Sequence, residues 1–324
     1  MSGEAPRCLC ESFVAVTERS AVAVGRWLGR GDVEGAQATA TAAMRSGLDA
    51  LPIEGRIVVG NEADDDELSL GTVVGGGGDA FDLAIDPIEG ASIVARGDYG
   101  AMSMIAVGER DTFPRLPNMY MRKMAVGPTA RGRIDLTRPV GENVQAIAEA
   151  YGRQTQDLTT IVLDRPRHED LVDDIRESGA RIKLIPDGDV TSTISAAIRG
   201  TNDHLAIGIG GARQAMIAAA ALRCLGGELQ AQLWPTTRTE ITQAAEYGIE
   251  DMNQVFTTDD LAPGEVIVAA TGVSNSDLLR GVRYLAEGAR THSVVMCTRH
   301  NWVKFVDGIH FFTRDRREEV RLLG

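Results

Sequence analysis

Apolar positions along the chain fall into two rhythms. From Glu11 to Leu28, Phe13, Val14, Val16, Val22, Val24 and Trp27 recur among small and polar residues and predict a packed helix. Gly29-Arg30-Gly31-Asp32 ends it, and an alanine-rich second helix is expected from Glu34 to Leu51. Ile57-Val58-Val59-Gly60 reads as a short buried strand running into the acidic stretch Asn61–Glu67. Leu83-Ala84-Ile85 predicts another buried strand, ending on Asp86 because Pro87 cannot simply continue a ladder. Met102–Val107 and Lys123–Val126 alternate as strands, and Glu142–Tyr151 reads as a helix.

Beyond Leu158 short apolar runs alternate with helical segments. Strands are expected at Thr160–Leu163, Arg181–Ile185 and His204–Ile209, with helices at His168–Ser178, Val190–Ile198 and Ala212–Leu225. Such alternation predicts a parallel sheet whose ligand loops lie at the strand C-termini. Further strands are expected at Glu265–Thr271, Ser293–Cys297 and Val303–Phe312. The change of rhythm places a domain boundary at Gly152: an N-terminal α/β domain over 1–152 and a C-terminal α/β domain over 153–324. The class is α/β.

Composition narrows the function. The chain has 324 residues, 44% of them hydrophobic, with a net charge of -13, which argues against nonspecific nucleic-acid binding. No apolar run reaches the roughly 18 residues of a membrane helix, and the N-terminus lacks a signal-peptide pattern. Cys8, Cys10, Cys224 and Cys297 form no CxxC pair and have no histidine at zinc-site spacing, so reduced thiols and a cytoplasmic location are expected.

The chemistry centres on the turn after Ile85. Asp86 and Glu89, three residues apart at a strand end with Gly90 behind them, suit a hard divalent cation such as Mg²⁺ or Mn²⁺. Backbone N–H groups after Gly90 suit an anion beside it. The alternative is a surface turn with two solvated acids. Arg165-Pro166-Arg167 follows a strand as a rigid fork for phosphate oxygens, or is a surface basic pair. Asp187-Gly188-Asp189 suits sugar hydroxyls, or a turn that caps the next helix. The four glycines Gly75–Gly78 lack the Lys-Ser/Thr ending of a P-loop, and Gly208, Gly210 and Gly211 lack the dinucleotide spacing. The five histidines make no ligand-spaced cluster, and no nucleophile elbow is present.

Taken together, these residues resemble the class II fructose-1,6-bisphosphatases, within the metal-dependent, lithium-sensitive sugar and inositol phosphatases. The resemblance rests on Trp27–Asp32, Asp86–Gly90, Pro117–Met121, Arg165–His168, Ile185–Val190, Gly208–Ala212 and Ala270–Val273, in family order across nearly the whole chain. It implies a layered α-β-α-β-α sandwich, usually a dimer or tetramer of identical chains. It implies hydrolysis of the 1-phosphate of a ketose bisphosphate, fructose 1,6-bisphosphate or a relative, with Mg²⁺ or Mn²⁺. By motif match Asp32, Asp86 and Glu89 are metal ligands. Substrate contacts come from Glu89, Gly90, Ala91, Tyr120, Arg165, Pro166, Arg167, Asp187, Gly188, Asp189 and Gly211.

Five positions depart from the pattern: Val33 and Gln37, where the family has a lysine and an aspartate in the loop after Asp32, and three more. Asn61 and Gln214 stand where the family has metal-binding glutamates, and Ala91 where it has a threonine that positions phosphate and water. Glu62 is a candidate for the vacant ligand position and Ser92 for the missing hydroxyl. The leading expectation is a class II fructose-1,6-bisphosphatase-like hydrolase. The alternatives are a sugar-phosphate-binding protein without hydrolysis, or a changed reaction on a phosphorylated sugar.

Overall fold

The computed structural model describes residues 9–60 and 67–312. The chain begins with helices α1 (Cys10–Val24) and α2 (Val33–Asp49), then β1 (Ile53–Val59), β2 (Val73–Val74) and β3 (Asp79–Glu89). Next come α3 (Ala91–Arg96), β4 (Met102–Glu109), β5 (Tyr120–Val126) and α4 (Val140–Tyr151). An alternating stretch follows: β6 (Thr159–Leu163), α5 (Glu169–Glu177), β7 (Arg181–Ile185), α6 (Asp189–Ala197), β8 (Leu205–Gly211) and α7 (Ala212–Leu225). The last part holds β9 (Glu228–Leu233), α8 (Arg238–Glu246), β10 (Val255–Thr257), α9 (Thr258–Leu261), β11 (Val266–Gly272), β12 (Arg283–Leu285), β13 (Gly288–Cys297) and β14 (Trp302–Phe311).

Two sheets result. The first has the order β12-β13-β11-β4-β3-β1-β2, with β14 on the free edge of β13; the second has β10-β9-β5-β8-β6-β7. Phe13, Val14, Met44 and Leu48 of α1 and α2 bury one face of the first sheet against Ile57, Leu83, Ile85 and Val295. Its other face meets α6 and α7, which also pack the second sheet: Ile194, Met216 and Ile217 join Met104, Val268 and Met296 to Met121, Ala206 and Leu229. A helix contacted on both sides must be apolar all round, and Ala218–Ala221 give α7 that surface with little bulk. Val144, Ile147, Val172 and Ile175 of α4 and α5 close the far face of the second sheet. The layers are therefore α-β-α-β-α, as the resemblance implied.

Three details differ from the sequence reading. First, β3 does not stop at Asp86; it runs on to Glu89. β1 pairs with it only as far as Ala84, and its register with β4 shifts between Asp86 and Glu89. Pro87 thus lies at an irregularity with one edge unpaired, where its missing N–H costs no ladder bond. Second, only β6, β7 and β8 pair in parallel within the second sheet, while β5, β9 and β10 are antiparallel. Third, β5 starts at Tyr120, so the tyrosine belongs to a strand. Gly152 is the C-cap of α4, and strands from both sides of it join each sheet.

Candidate active site

The end of β3 carries the chemistry because the fold brings three other chain ends to it. Gly90 takes a left-handed conformation (φ 84°) that turns the chain from β3 into α3. The β7–α6 loop arrives with Asp187-Gly188-Asp189, and the β8–α7 junction with Gly211–Gln214.

Glu89 is buried and points at the N-terminus of α6. It accepts bonds from the Val190 N–H at 2.6 Å, the Thr191 N–H at 3.0 Å and the Thr191 hydroxyl at 2.6 Å. Despite these donors, burial and the neighbouring charges of Asp189 and Asp86 hold its carboxyl well above the usual carboxylate range. Asp86 behaves alike: burial, then Asp187 and Asp189, push it up to about 7, against weaker help from the Ile88 N–H and the Gln214 amide. Asp187 accepts the Ser92 hydroxyl at 2.8 Å and the Gly188 N–H at 3.0 Å. Asp189 is paired with Lys123, whose ammonium also reaches the Gly211 carbonyl at 3.3 Å.

Four carboxylates thus converge, with one buried lysine against them. Gly210 is required here, because a Cβ would fall 1.9 Å from an Asp189 oxygen and 2.7 Å from the Lys123 nitrogen. Carboxylate oxygens in excess over local cations are the donor type of a hard divalent ion, so the residues present fit such a group in chemistry, although among the described residues no three of these carboxylates bring ligand atoms within 4.8 Å of one another.

A second cluster adjoins the first along β8. Arg167 donates to the Ile209 carbonyl at 2.8 and 3.3 Å, and its guanidinium lies 4.8 Å from the centre of the Tyr120 ring. Tyr120 opposes Gly211 in the ladder, which ties the pair to the acidic cluster. Arg165 folds back on the Asp164 carbonyl. His168 is buried and holds the loop's base: its Nε2 accepts the Ile209 N–H at 2.8 Å, so its Nδ1–H donates to the Leu163 carbonyl at 2.7 Å. Burial, reinforced by Arg167 and Arg165, lowers its pKa. A cavity of about 440 Å³ opens beside Asp187 and Gly188, bounded by Tyr99, Gly100, Lys183 and Ser276.

The expected residues are therefore not all gathered. Asp86, Glu89, Ser92, Asp187, Gly188, Asp189, Gly211 and Gln214 come together, and Tyr120 and Arg167 stand beside them. Asp32 is the exposed N-cap of α2, accepting the Gly35 N–H at 2.8 Å, in a loop that packs on the end of α3. Asn61 and Glu62 lie outside the described residues.

Sequence reasoning missed Lys123 and Thr191. Lys123 reads as one polar position in an alternating strand, and only burial and the contact with Asp189 mark it. It also missed the meeting of Cys10, Cys297 and His300, the one group of three Cys, His, Asp or Glu ligand atoms within 4.8 Å of one another among the described residues. The expectation that no cysteine has a histidine at zinc-site spacing is corrected: Cys297 and His300 are three residues apart in sequence, and the fold brings Cys10, 287 positions before Cys297, to join them.

Five alternating layers with an acidic cleft at the strand ends define a layered α/β phosphatase of the sugar phosphatase type. The profile of the bacterial fructose-1,6-bisphosphatases, glpX-encoded, matches residues 7–310. A protein named D-fructose 1,6-bisphosphatase class 2/sedoheptulose 1,7-bisphosphatase from Synechococcus sp. (strain JA-3-3Ab) is 41% identical, over 92% of this chain and 94% of its own. A protein of that name, numbered 2, from Acaryochloris marina (strain MBIC 11017) is 37% identical, over 95% and 97%. The chain belongs to the class II fructose-1,6-bisphosphatase family.

Proposed function

We propose that this protein is a sugar-bisphosphate phosphatase, a phosphoric monoester hydrolase that removes the 1-phosphate of fructose 1,6-bisphosphate or a close ketose relative. Family membership over nearly the whole chain supports the reaction class. The observation that carries the site is the convergence of Asp86, Glu89, Asp187 and Asp189 against a single lysine. Metal dependence follows from the family, and we assign Mg²⁺ or Mn²⁺ because the donors are hard oxygens. Asp86 and Glu89 would hold the ion, with Asp32 and Glu62 as candidate additional ligands. Bound there, such an ion offsets phosphoryl charge and lowers the pKa of a water.

The protein's own groups do the rest. Gly90, Ala91 and Ser92 open α3 and offer N–H groups to the reacting phosphate. Ser92 supplies the hydroxyl that Ala91 lacks. Arg167, stacked on Tyr120, and Arg165 with Pro166 grip the far phosphate, where a guanidinium fork suits its oxygens. Asp187, Gly188 and Asp189 take sugar hydroxyls, with Gly211 permitting close approach and Lys123 holding Asp189 in place. In this reading residues 1–152 supply the metal-side carboxylates and 153–324 the substrate loops. The changes at Asn61, Ala91 and Gln214 do not favour binding without turnover, since Asp86 and Glu89 are retained among uncompensated charge.

We propose a homo-oligomer, a dimer or tetramer. Its supporting feature is the outer face of β14, where Val303, Phe305, Ile309 and Phe311 are exposed on alternate positions of an edge strand. No nucleic-acid partner is proposed at a net charge of -13, and no described helix is long and apolar enough to cross a membrane. A cytoplasmic location is proposed from the scattered cysteines.

Phosphate release from sugar mono- and bisphosphates, with Mg²⁺ or Mn²⁺, tests the reading. Turnover of a ketose bisphosphate is expected, and Asp86→Asn should lower kcat/KM by about 10³-fold, roughly 4 kcal/mol. Calorimetric binding of a bisphosphate with no turnover under either ion would instead establish the binding-only alternative.

A further inference from the structure

A second cluster of ligand atoms stands apart from this chemistry. Cys10 opens α1, Cys297 ends β13, and His300 lies in the turn that leads into β14. The His300 Nδ1 is 3.1 Å from the Cys297 sulfur and 3.8 Å from the Cys10 sulfur, and the three atoms lie within 4.8 Å of one another. In a tetrahedral site with metal–sulfur bonds of about 2.3 Å and metal–nitrogen bonds of about 2.0–2.1 Å, neighbouring ligand atoms are about 3.5–3.8 Å apart. The cluster is already close to that spacing.

Its surroundings suit a bound cation. Both cysteines are buried while His300 is exposed, so the cluster reaches the surface through its imidazole. The imidazole stacks on Trp302 at 5.7 Å, which fixes the ring with Nδ1 toward the sulfurs. A cavity of about 130 Å³ adjoins, bounded by Phe81, Val107 and Ile267 and by the carboxylates of Asp79, Glu109 and Glu265. Arg299 pairs with Glu109 and Glu265 beside Cys297. The cluster lies toward the opposite end of β3 from the acidic cleft. Phe81, at the cavity, and Asp86 are five residues apart on the strand, about 17 Å at 3.3 Å per residue.

We propose that Cys10, Cys297 and His300 bind one thiophilic divalent cation of the zinc class, separate from the catalytic ions. Two thiolates and an imidazole select a soft or borderline metal, whereas the cleft's oxygens select Mg²⁺ or Mn²⁺. Binding displaces the two thiol protons and fastens the start of α1 to the β13–β14 turn, joining chain segments that are far apart in sequence.

The test uses the full chain, stripped by a chelator under reducing conditions and titrated with Zn²⁺ or Co²⁺ alone. Binding of one equivalent that excess Mg²⁺ does not displace is expected, and cobalt should give a near-ultraviolet thiolate charge-transfer band. Cys297→Ser should abolish that band, and His300→Ala should weaken zinc binding by at least about tenfold, both with phosphate release under Mg²⁺ or Mn²⁺ intact. The exposed His300 variant keeps the test decisive should Cys297→Ser fail to fold. A cobalt spectrum without the thiolate band, zinc affinity unchanged in His300→Ala, or a band unchanged in Cys297→Ser would overturn the proposal. None of these readouts depends on whether the cleft hydrolyses a sugar bisphosphate.

Discussion

Strand β3 carries acidic groups at both ends, and the two ends are treated in opposite ways. Asp82 is fully buried, yet Arg56 grips it with two bonds of 3.0 Å, the Asp111 N–H donates at 2.8 Å, and Arg110 stands 3.6 Å away. Burial still pushes its carboxyl up, and the arginines pull it back. Four residues further on, burial raises Asp86 as well, but its neighbours Asp187 and Asp189 raise it further. One end has its counter-charges built into the chain. The other has a single lysine, on Asp189, and leaves the remaining charge for something that arrives. That contrast separates a structural carboxylate from a candidate metal-binding one more sharply than burial does.

Breaking the balanced end should have the largest effect on stability. Asp82→Ala takes two bonds from Arg56, which keeps Asp111 at 2.7 Å, and strips the buried Arg110 Nε, already without a hydrogen bond, of its nearby carboxylate. Removing one member of a buried pair costs about 3–5 kcal/mol. Urea denaturation of the variant should register a loss of that size, with near-normal turnover by the folded fraction. A loss below about 1 kcal/mol would mean that the arginines do not offset the buried charge.

The unbalanced end should respond to pH. Asp86 has a folded pKa of about 7 against an ordinary 3.8, so between those values the folded state binds more protons than the unfolded one. Stability of the metal-free protein from this group is therefore fully present below about pH 4 and is lost as pH rises through about 7, by up to about 4 kcal/mol. Glu89 contributes with the same sign. Denaturation in a chelator at a series of pH values, wild type against Asp86→Asn, isolates the effect. The wild type should weaken toward neutral pH more steeply than Asp86→Asn, which keeps the Glu89 contribution, and Mg²⁺ or Mn²⁺ should restore it. Parallel curves for the two proteins would remove Asp86 from the unbalanced set.

Much of this contrast was legible in the sequence, and the reason it was not wholly so is physical. Asp86, Glu89 and Asp187–Asp189 stood out because acidic residues beside glycine at strand ends are local patterns. The run of β3 through Pro87 did not, since a proline is tolerated there only because β1 has already ended, which is a property of the neighbour. Lys123 was hidden for the same reason, and so were Cys10 and Cys297, whose meeting depends on the pairing of β13 with β11 and the packing of α1 on that sheet. The layered class followed from the motif order. The mixed second sheet did not, because alternating helices and strands describe β6–β8 and say nothing of β5, β9 and β10, which join them antiparallel.

Gln214 offers the finest test of the unbalanced end. Its amide stands close enough to Asp86 to lower that carboxyl's pKa slightly, and its oxygen lies where a Cβ on Gly211 would come within 2.1 Å. Gln214→Glu keeps the shape, removes that amide and adds a fifth carboxylate to a group with one lysine. Without metal the added repulsion should cost about 1 kcal/mol of stability, most clearly above about pH 7 where Asp86 is ionised. With metal the sign reverses, since another anionic oxygen strengthens a hard cation's site. The concentration of Mn²⁺ giving half-maximal phosphate release should fall about tenfold, equivalent to about 1.4 kcal/mol. A lower stability with unchanged metal dependence would place residue 214 within reach of Asp86 but outside the reach of the ion. The glutamine would then serve to hold Asp86 in position while the ion is absent.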